Sequence, residues 1–140
     1  MVDRDDRVQR VPIRVLFVES SRVCAESMCK RMQAAGFDLI SDIVSEETEM
    51  RRALLAEQWD VVISDSYLPN FSGTAALALL SELGLSTPFI LLASDPSQTL
   101  FRQLLHAGAW ACHDKMGFQA VLNLLANRFI SRACTPQDVE

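Results

Sequence analysis

Four residues of this chain carry side chains that handle phosphoryl groups or hard cations, and each stands just after a short apolar run. The first run, Val11–Val18, ends in Glu19, Ser20 and Ser21, and the third, Trp59–Ser64, ends in Asp65. The fourth, Phe89–Leu92, leads through Ala93 to Ser94 and Asp95, and the fifth, Ala109–His113, is followed by Asp114 and Lys115. Carboxylates hold Mg²⁺, and a lysine neutralises phosphoryl oxygens as a point charge. Glu19, Asp65, Ser94 and Lys115 would form such a site if the fold gathered them. Each also has a plainer reading. An aspartate before a helix often serves only as an N-cap, although Pro69 separates Asp65 from the next helical stretch. Ser94, followed by Asp95 and Pro96, reads equally as a helix start. His113 and Asp114 read as structural or solvated.

The elements between these positions alternate. Arg22–Ala35 has apolar residues at Cys24, Met28, Met32 and Ala35, a helical spacing closed by Gly36. Phe37–Val44 is a weaker strand, diluted by Asp38, Ser41 and Asp42. Glu46–Gln58 carries Met50, Ala53 and Leu54 on one face, with acids in its first turn where the helix dipole favours them. Val61, Val62 and Ile63 form a continuous run that suits a strand buried on both faces. Ser72–Leu83, Ser97–Ala107 and Phe118–Ile130 complete the helices, the first two ended by Gly84 and Gly108. Five strand–helix units in strict alternation imply a parallel sheet covered by helices on both faces. This is the size of the flavodoxin-like α/β/α sandwich, with strand order 2-1-3-4-5 and ligands beyond the carboxyl ends of the strands. Strands 1 and 3 are then neighbours, so Glu19 and Asp65 face one crevice with Ser94 and Lys115 beside it.

The 140 residues, 49% of them apolar, suffice for one domain with its own core. The expected limits are a flexible arm over 1–10, the domain over 11–132 and a tail over 133–140. A net charge of −5 argues against a basic nucleic-acid-binding stripe. No apolar run approaches the roughly 20 residues that span a bilayer, and no secretory signal is visible, so the expected location is cytoplasmic. Cys24, Cys29, Cys112 and Cys134 form no C-x-x-C pair and read mostly as small buried hydrophobes. A flavin or nucleotide site would want a glycine- or hydroxyl-rich loop after the first strand. Glu19 would repel a phosphate there. No G-x-S-x-G nucleophile motif occurs, and an enzyme is not expected.

The segment from Asp60 to Gly73 resembles the phosphoacceptor segment of response-regulator receiver domains in two-component signalling. Its Asp65, Pro69 and Gly73 stand in the family's register behind Val61-Val62-Ile63. Val15-Leu16-Phe17-Val18-Glu19 and Ala107-Gly108-Ala109 leading to Lys115 are similar to flanking parts of the family pattern, so the resemblance spans about Ile13–Arg132. It implies a phosphoprotein of a phosphorelay in which Asp65 takes a phosphoryl group from a histidine kinase or phosphotransfer protein. It further implies that Glu19, Asp65 and the main-chain carbonyl of Tyr67 hold Mg²⁺, that Lys115 contacts the phosphoryl group, and that a downstream protein reads the result.

Four positions depart from the pattern. Ser20 replaces the second acidic residue and offers at most a weak or water-mediated ligand. Ala93 replaces the hydroxyl that follows the phosphoryl group, leaving Ser94 one residue out of register. Cys112 replaces the switch aromatic, and Met116 follows Lys115 where proline is common. Weak Mg²⁺ binding and slow phosphorylation are expected. The alternative is a pseudo-receiver, a phosphorylation-independent protein-interaction module. A homodimer through the face of the fourth helix, fifth strand and fifth helix would use Leu105, Trp110 and the outer side of Phe118–Ile130. Phe101, Leu105 and Trp110 either form an apolar patch there or close the core.

Overall fold

The computed structural model describes residues 10–95 and 97–130. Its main sheet is built from β1 (Val11–Val18), β2 (Phe37–Val44), β3 (Val61–Asp65), β6 (Phe89–Ala93) and β7 (Ala111–Asp114). The order is β2-β1-β3-β6-β7 with every pairing parallel, so the expected order is observed. Between the strands run α1 (Arg22–Ala34), α2 (Glu47–Ala56), α3 (Gly73–Glu82) and α4 (Gln98–His106), and α5 (Phe118–Leu125) follows the last strand.

The period-two alternation of β1 explains the three layers. Ile13, Val15 and Phe17 face a core with Met28 and Met32 of α1 and Phe118, Val121, Leu122 and Leu125 of α5. Leu16 and Val18 face the opposite core, with Met50 and Leu54 of α2, Leu77 and Leu80 of α3 and Leu104 of α4. Strands β3 and β6 lie inside the sheet, and both of their faces are covered. That is why Val61-Val62-Ile63 and Phe89–Leu92 carry no polar alternation. At the sheet edge, β2 keeps exposed Asp38, Ser41 and Asp42 among its apolar residues.

Caps set several boundaries inside the expected ranges. Ser21, Ser72 and Ser97 lie outside their helices, each accepting a bond from a backbone N–H of the first turn. Gly36, Gly84 and Gly108 follow the first, third and fourth helices with φ of 110°, 71° and 113°, the left-handed conformation expected of helix-ending glycines. Along α1 the buried positions are Ala25, Met28 and Met32, whereas Ala35 is exposed.

Other boundaries differ for a physical reason. Trp59 is not in the third strand; its indole N–H donates to the Ala53 carbonyl at 3.0 Å, closing the end of α2. The fifth strand begins at Ala111 because the Ala109 amide still serves the helix end, donating to Leu104 O at 2.9 Å. The last helix is α-helical only to Leu125 and continues as a π-helical turn over Ala126–Ile130. A small antiparallel hairpin, β4 (Tyr67–Leu68) and β5 (Phe71–Ser72), turns at Pro69-Asn70 directly after Asp65.

Phe101 packs against one core and Trp110 against the other, both only partly buried, while Leu105 is 47% exposed. No helix among the described residues is long and apolar enough to cross a membrane. The expected tail over 133–140, Cys134, the domain's end at 132 and all of the arm except Arg10 lie outside the described residues.

Candidate functional site

At the carboxyl edge of the sheet one ammonium meets two carboxylates. Lys115 Nζ lies 2.8 Å from Glu19 Oε1 and 3.1 Å from Asp65 Oδ2. Glu19 directly follows β1 and is 3% exposed, its amide donating to the Val44 carbonyl at the end of β2. Its second oxygen, Oε2, accepts from the Ser21 N–H at 3.0 Å, and Ser21 Oγ in turn caps α1 through Cys24 N–H. Asp65 is the last residue of β3, and its Oδ1 accepts from the Ser66 N–H at 2.8 Å. Three of the four carboxylate oxygens accept a hydrogen bond, and the fourth, Glu19 Oε1, is ion-paired with the ammonium. Lys115 opens a 3₁₀ turn, Lys115–Gly117, that Asp114 caps by accepting from Met116 N–H at 2.8 Å.

Partial burial pulls the Lys115 ammonium down, but its hydrogen bonds to Glu19 and Asp65 outweigh that and raise it above its ordinary value of 10.5. A raised folded-state value stabilises the fold fully below the unfolded value and loses that contribution as pH climbs through the folded one. From neutral pH to about 10 the urea midpoint of the native protein should exceed that of Lys115→Met by a constant margin, and the margin should shrink above 10.5. A margin that is constant to pH 12 would contradict the pairing.

Behind Asp65 the backbone is crowded. The Gly73 N–H donates to Ser66 O at 3.0 Å, and an added Cβ on Gly73 would lie 3.0 Å from the Asp65 carbonyl oxygen. The buried Ser64 hydroxyl donates to that same carbonyl at 2.8 Å. On the open side a cleft of about 440 Å³ is lined by Asp65, Ser66, Tyr67, Ser94, Asp95 and Leu100. Ser94 thus reaches the same cleft despite its register, whereas Ala93 is fully buried and brings no hydroxyl. Asp95 was not foreseen as a neighbour of the cleft; its signal was its place two residues beyond a strand end. Ser20 is exposed at the bend after β1. Cys112 points into the interior, its thiol 3.9 Å from the Phe101 carbonyl, and burial pushes that thiol up. Asp60, the first acid of the phosphoacceptor-like segment, is structural. It accepts from Arg14 N–H at 2.8 Å and donates its own N–H to Arg14 O, fixing the other end of β3 to β1.

No family model matches the chain. Among curated proteins, the two-component response regulator ORR41 of Oryza sativa subsp. japonica is 30% identical over 104 residues, covering 71% of this chain and 80% of that protein. The chain belongs to the two-component response regulators. The fold of this receiver is shared with the receiver domain of the Francisella response regulator 1452, at a TM-score of 0.68 and 18% identity over 83% of this chain and 98% of that one. It is shared also with the receiver domain of sensor histidine kinase PA1611 from Pseudomonas aeruginosa PAO1, at 0.63 and 20% identity over 79% of this chain and 94% of that one. The PA1611 crystal structure has a magnesium ion coordinated in its active-site cleft.

Receivers are signalling modules, and for Mg²⁺ the donor chemistry of this one is suitable. Glu19 and Asp65 already converge on one cation, the Lys115 ammonium, and oxygen donors suit a hard ion. The charge is one short: among the described residues no group of three or more His, Cys, Asp or Glu gathers into a metal site.

Proposed function

We propose that Asp65 is the phosphoacceptor of this receiver, taking a phosphoryl group from the phosphohistidine of a histidine kinase or phosphotransfer protein. The observation that carries the reading is the Lys115 ammonium held 3.1 Å from Oδ2 of Asp65, itself a lining residue of an open cleft. In the transfer a carboxylate oxygen of Asp65 attacks phosphorus, the P–N bond breaks, and its electron pair leaves on the imidazole nitrogen. The product is an acyl phosphate. Lys115 neutralises the phosphoryl oxygens as charge shifts onto Asp65, and the Ser66 N–H orients the carboxylate. Ser94 lines the cleft as a neutral hydroxyl donor. Glu19, Asp65, the Tyr67 carbonyl and, weakly, Ser20 would hold Mg²⁺, which supplies further charge neutralisation when bound.

Three large apolar side chains support a docking partner at this end of the sheet. Val23, Tyr67 and Met116 are 78%, 80% and 90% exposed, and each stands within two residues of Ser21, Asp65 or Lys115. Such exposure beside a polar cleft suits a surface covered by another protein. The partner downstream of the receiver is a protein target rather than nucleic acid, in keeping with the net charge of −5.

The test is intact-protein mass after incubation with acetyl phosphate and Mg²⁺, beside Asp65→Ala and an EDTA control. A phosphoryl adduct on the native protein that Asp65→Ala lacks and EDTA suppresses is the expected result. Its absence, also with a phosphorylated phosphotransfer protein as donor, would favour the pseudo-receiver. The specific observation on that side is the pair Ala93 and Cys112: one has no hydroxyl and the other is a part-buried thiol rather than an aromatic, so they provide no hydroxyl–aromatic switch.

A further inference from the structure

Glu19 binds the lysine more closely than the phosphoacceptor does, and this bears on what the metal must do. All four carboxylate oxygens of Glu19 and Asp65 are engaged: Lys115 Nζ bonds Asp65 Oδ2 and ion-pairs with Glu19 Oε1, and the Ser21 and Ser66 N–H groups donate to the other two. Among the described residues no buried side-chain nitrogen or oxygen lacks a partner. The pocket is therefore complete with the ammonium alone.

We propose that Lys115 is the resident counter-cation of the site, and that it and a divalent metal ion compete for the Glu19 and Asp65 carboxylates. Two carboxylates against one ammonium leave a single negative charge. A dication added beside that ammonium would turn the cluster positive, and Glu19, at 3% exposure, has little water to screen it. A third carboxylate would let both cations stay, but Ser20 stands there and carries no charge. The metal can enter only as Lys115 loosens from Glu19. Since coupling between two ligands of one site is reciprocal, the metal must weaken the lysine clamp as much as the clamp weakens the metal. The inference takes the location of the site from the phosphoacceptor reading but needs no phosphoryl transfer.

The chain contains just two lysines, Lys30 and Lys115, and Lys30 is exposed on α1. Brief acetylation of the native protein with acetic anhydride, resolved by peptide mass spectrometry, thus carries its own control. In EDTA, Lys115 should react much more slowly than Lys30. Saturating MgCl₂, against NaCl of equal ionic strength, should accelerate Lys115 by at least about fivefold, the low end of ordinary site coupling, and leave Lys30 unchanged. In parallel, Mg²⁺ is titrated into native protein and Lys115→Met while the amide shifts of Ser21 and Ser66 are followed, since these two N–H groups bond the competing carboxylates. The variant should bind Mg²⁺ more tightly, again by about fivefold or more.

Mg²⁺ that moves both amides without accelerating Lys115 would overturn the proposal. So would a variant that binds Mg²⁺ equally or more weakly, or an absence of Mg²⁺ binding in both proteins. Should Lys115→Met fail to fold, the labelling of the native protein decides alone. No phosphoryl donor is present in either experiment, so a protein that never takes a phosphoryl group can still pass, and one that does can still fail.

Discussion

Gly73→Ala is expected to destabilise this receiver by about 2 kcal/mol, the middle of the range for forcing a methyl into a packed interior. It should also disturb Asp65. Gly73 begins α3 and is buried, with no positive φ to demand glycine. In a helix alanine is favoured over glycine by about 1 kcal/mol, so conformation alone would make the change beneficial. Space decides the other way. The added methyl would overlap Leu91 Cδ1, lie 3.0 Å from the Asp65 carbonyl oxygen and lie 3.2 Å from Ser66 Cα. The leucine is itself fully buried, and the other two contacts are backbone, so relief means moving the strand end that carries Asp65. Gly117→Ala is the matched control: a Cβ there meets nothing within 4 Å, and its φ of −98° suits any residue. Urea unfolding should show a lower midpoint for Gly73→Ala and a native-like midpoint for Gly117→Ala. Equal midpoints would mean that the β3–α3 contact is slack.

That contact also shows what the sequence makes legible. Gly73 was visible as one letter of a family-like segment, but its reason, the Leu91 side chain and the Asp65 carbonyl where a Cβ would stand, depends on how β3 packs against α3. The sheet itself was readable because inner strands are apolar on both faces. Val61-Val62-Ile63 and Phe89–Leu92 could hardly be anything exposed. The hairpin Tyr67–Leu68 and Phe71–Ser72 was not readable, since two-residue strands leave no period. Trp59 misled because an aromatic beside a β-branched run reads as strand. Its indole instead turns back to a helix carbonyl, and sequence does not encode that direction. How Phe101, Leu105 and Trp110 divide between core and surface was not readable for a related reason. Helical spacing and a neighbouring strand place residues on faces, but only the sheet divides Phe101 and Trp110 between opposite cores.

The site was legible residue by residue and not as a network. Glu19, Asp65, Ser94 and Lys115 stand at strand ends, and the order of a doubly wound sheet gathers those ends. Their charges suggested a metal between the acids and a lysine beside the phosphoacceptor. The structure places Lys115 nearer Glu19, at 2.8 Å, than Asp65, at 3.1 Å. Nothing in spacing or composition ranks those two distances.

That ranking carries the second large effect. Lys115→Met should cost roughly 2–3 kcal/mol, below the 3–5 kcal/mol typical of breaking a fully buried pair, because water reaches part of this one. The lysine side chain is 19% exposed and that of Asp65 is 11% exposed, but Glu19 is at 3% and would be left with its charge uncompensated. Methionine keeps most of the stem's packing, so the loss measures the charge rather than a cavity. Glu19→Gln removes the other partner and should cost about 1–2 kcal/mol, since the side-chain amide still has an oxygen to accept from the Ser21 N–H. If the pair is the unit, Glu19→Gln/Lys115→Met should cost less than the two single changes together, with a coupling of about 1–2 kcal/mol from urea unfolding at pH 7. Asp65→Asn should be the mildest of the single changes, because Lys115 keeps its closer ion pair with the more deeply buried Glu19. Additive costs, or an Asp65→Asn protein less stable than Glu19→Gln, would place the anchor of Lys115 on Asp65 and leave Glu19 free for a metal. The expected order makes Glu19 the residue that holds the lysine in place before any phosphoryl group arrives.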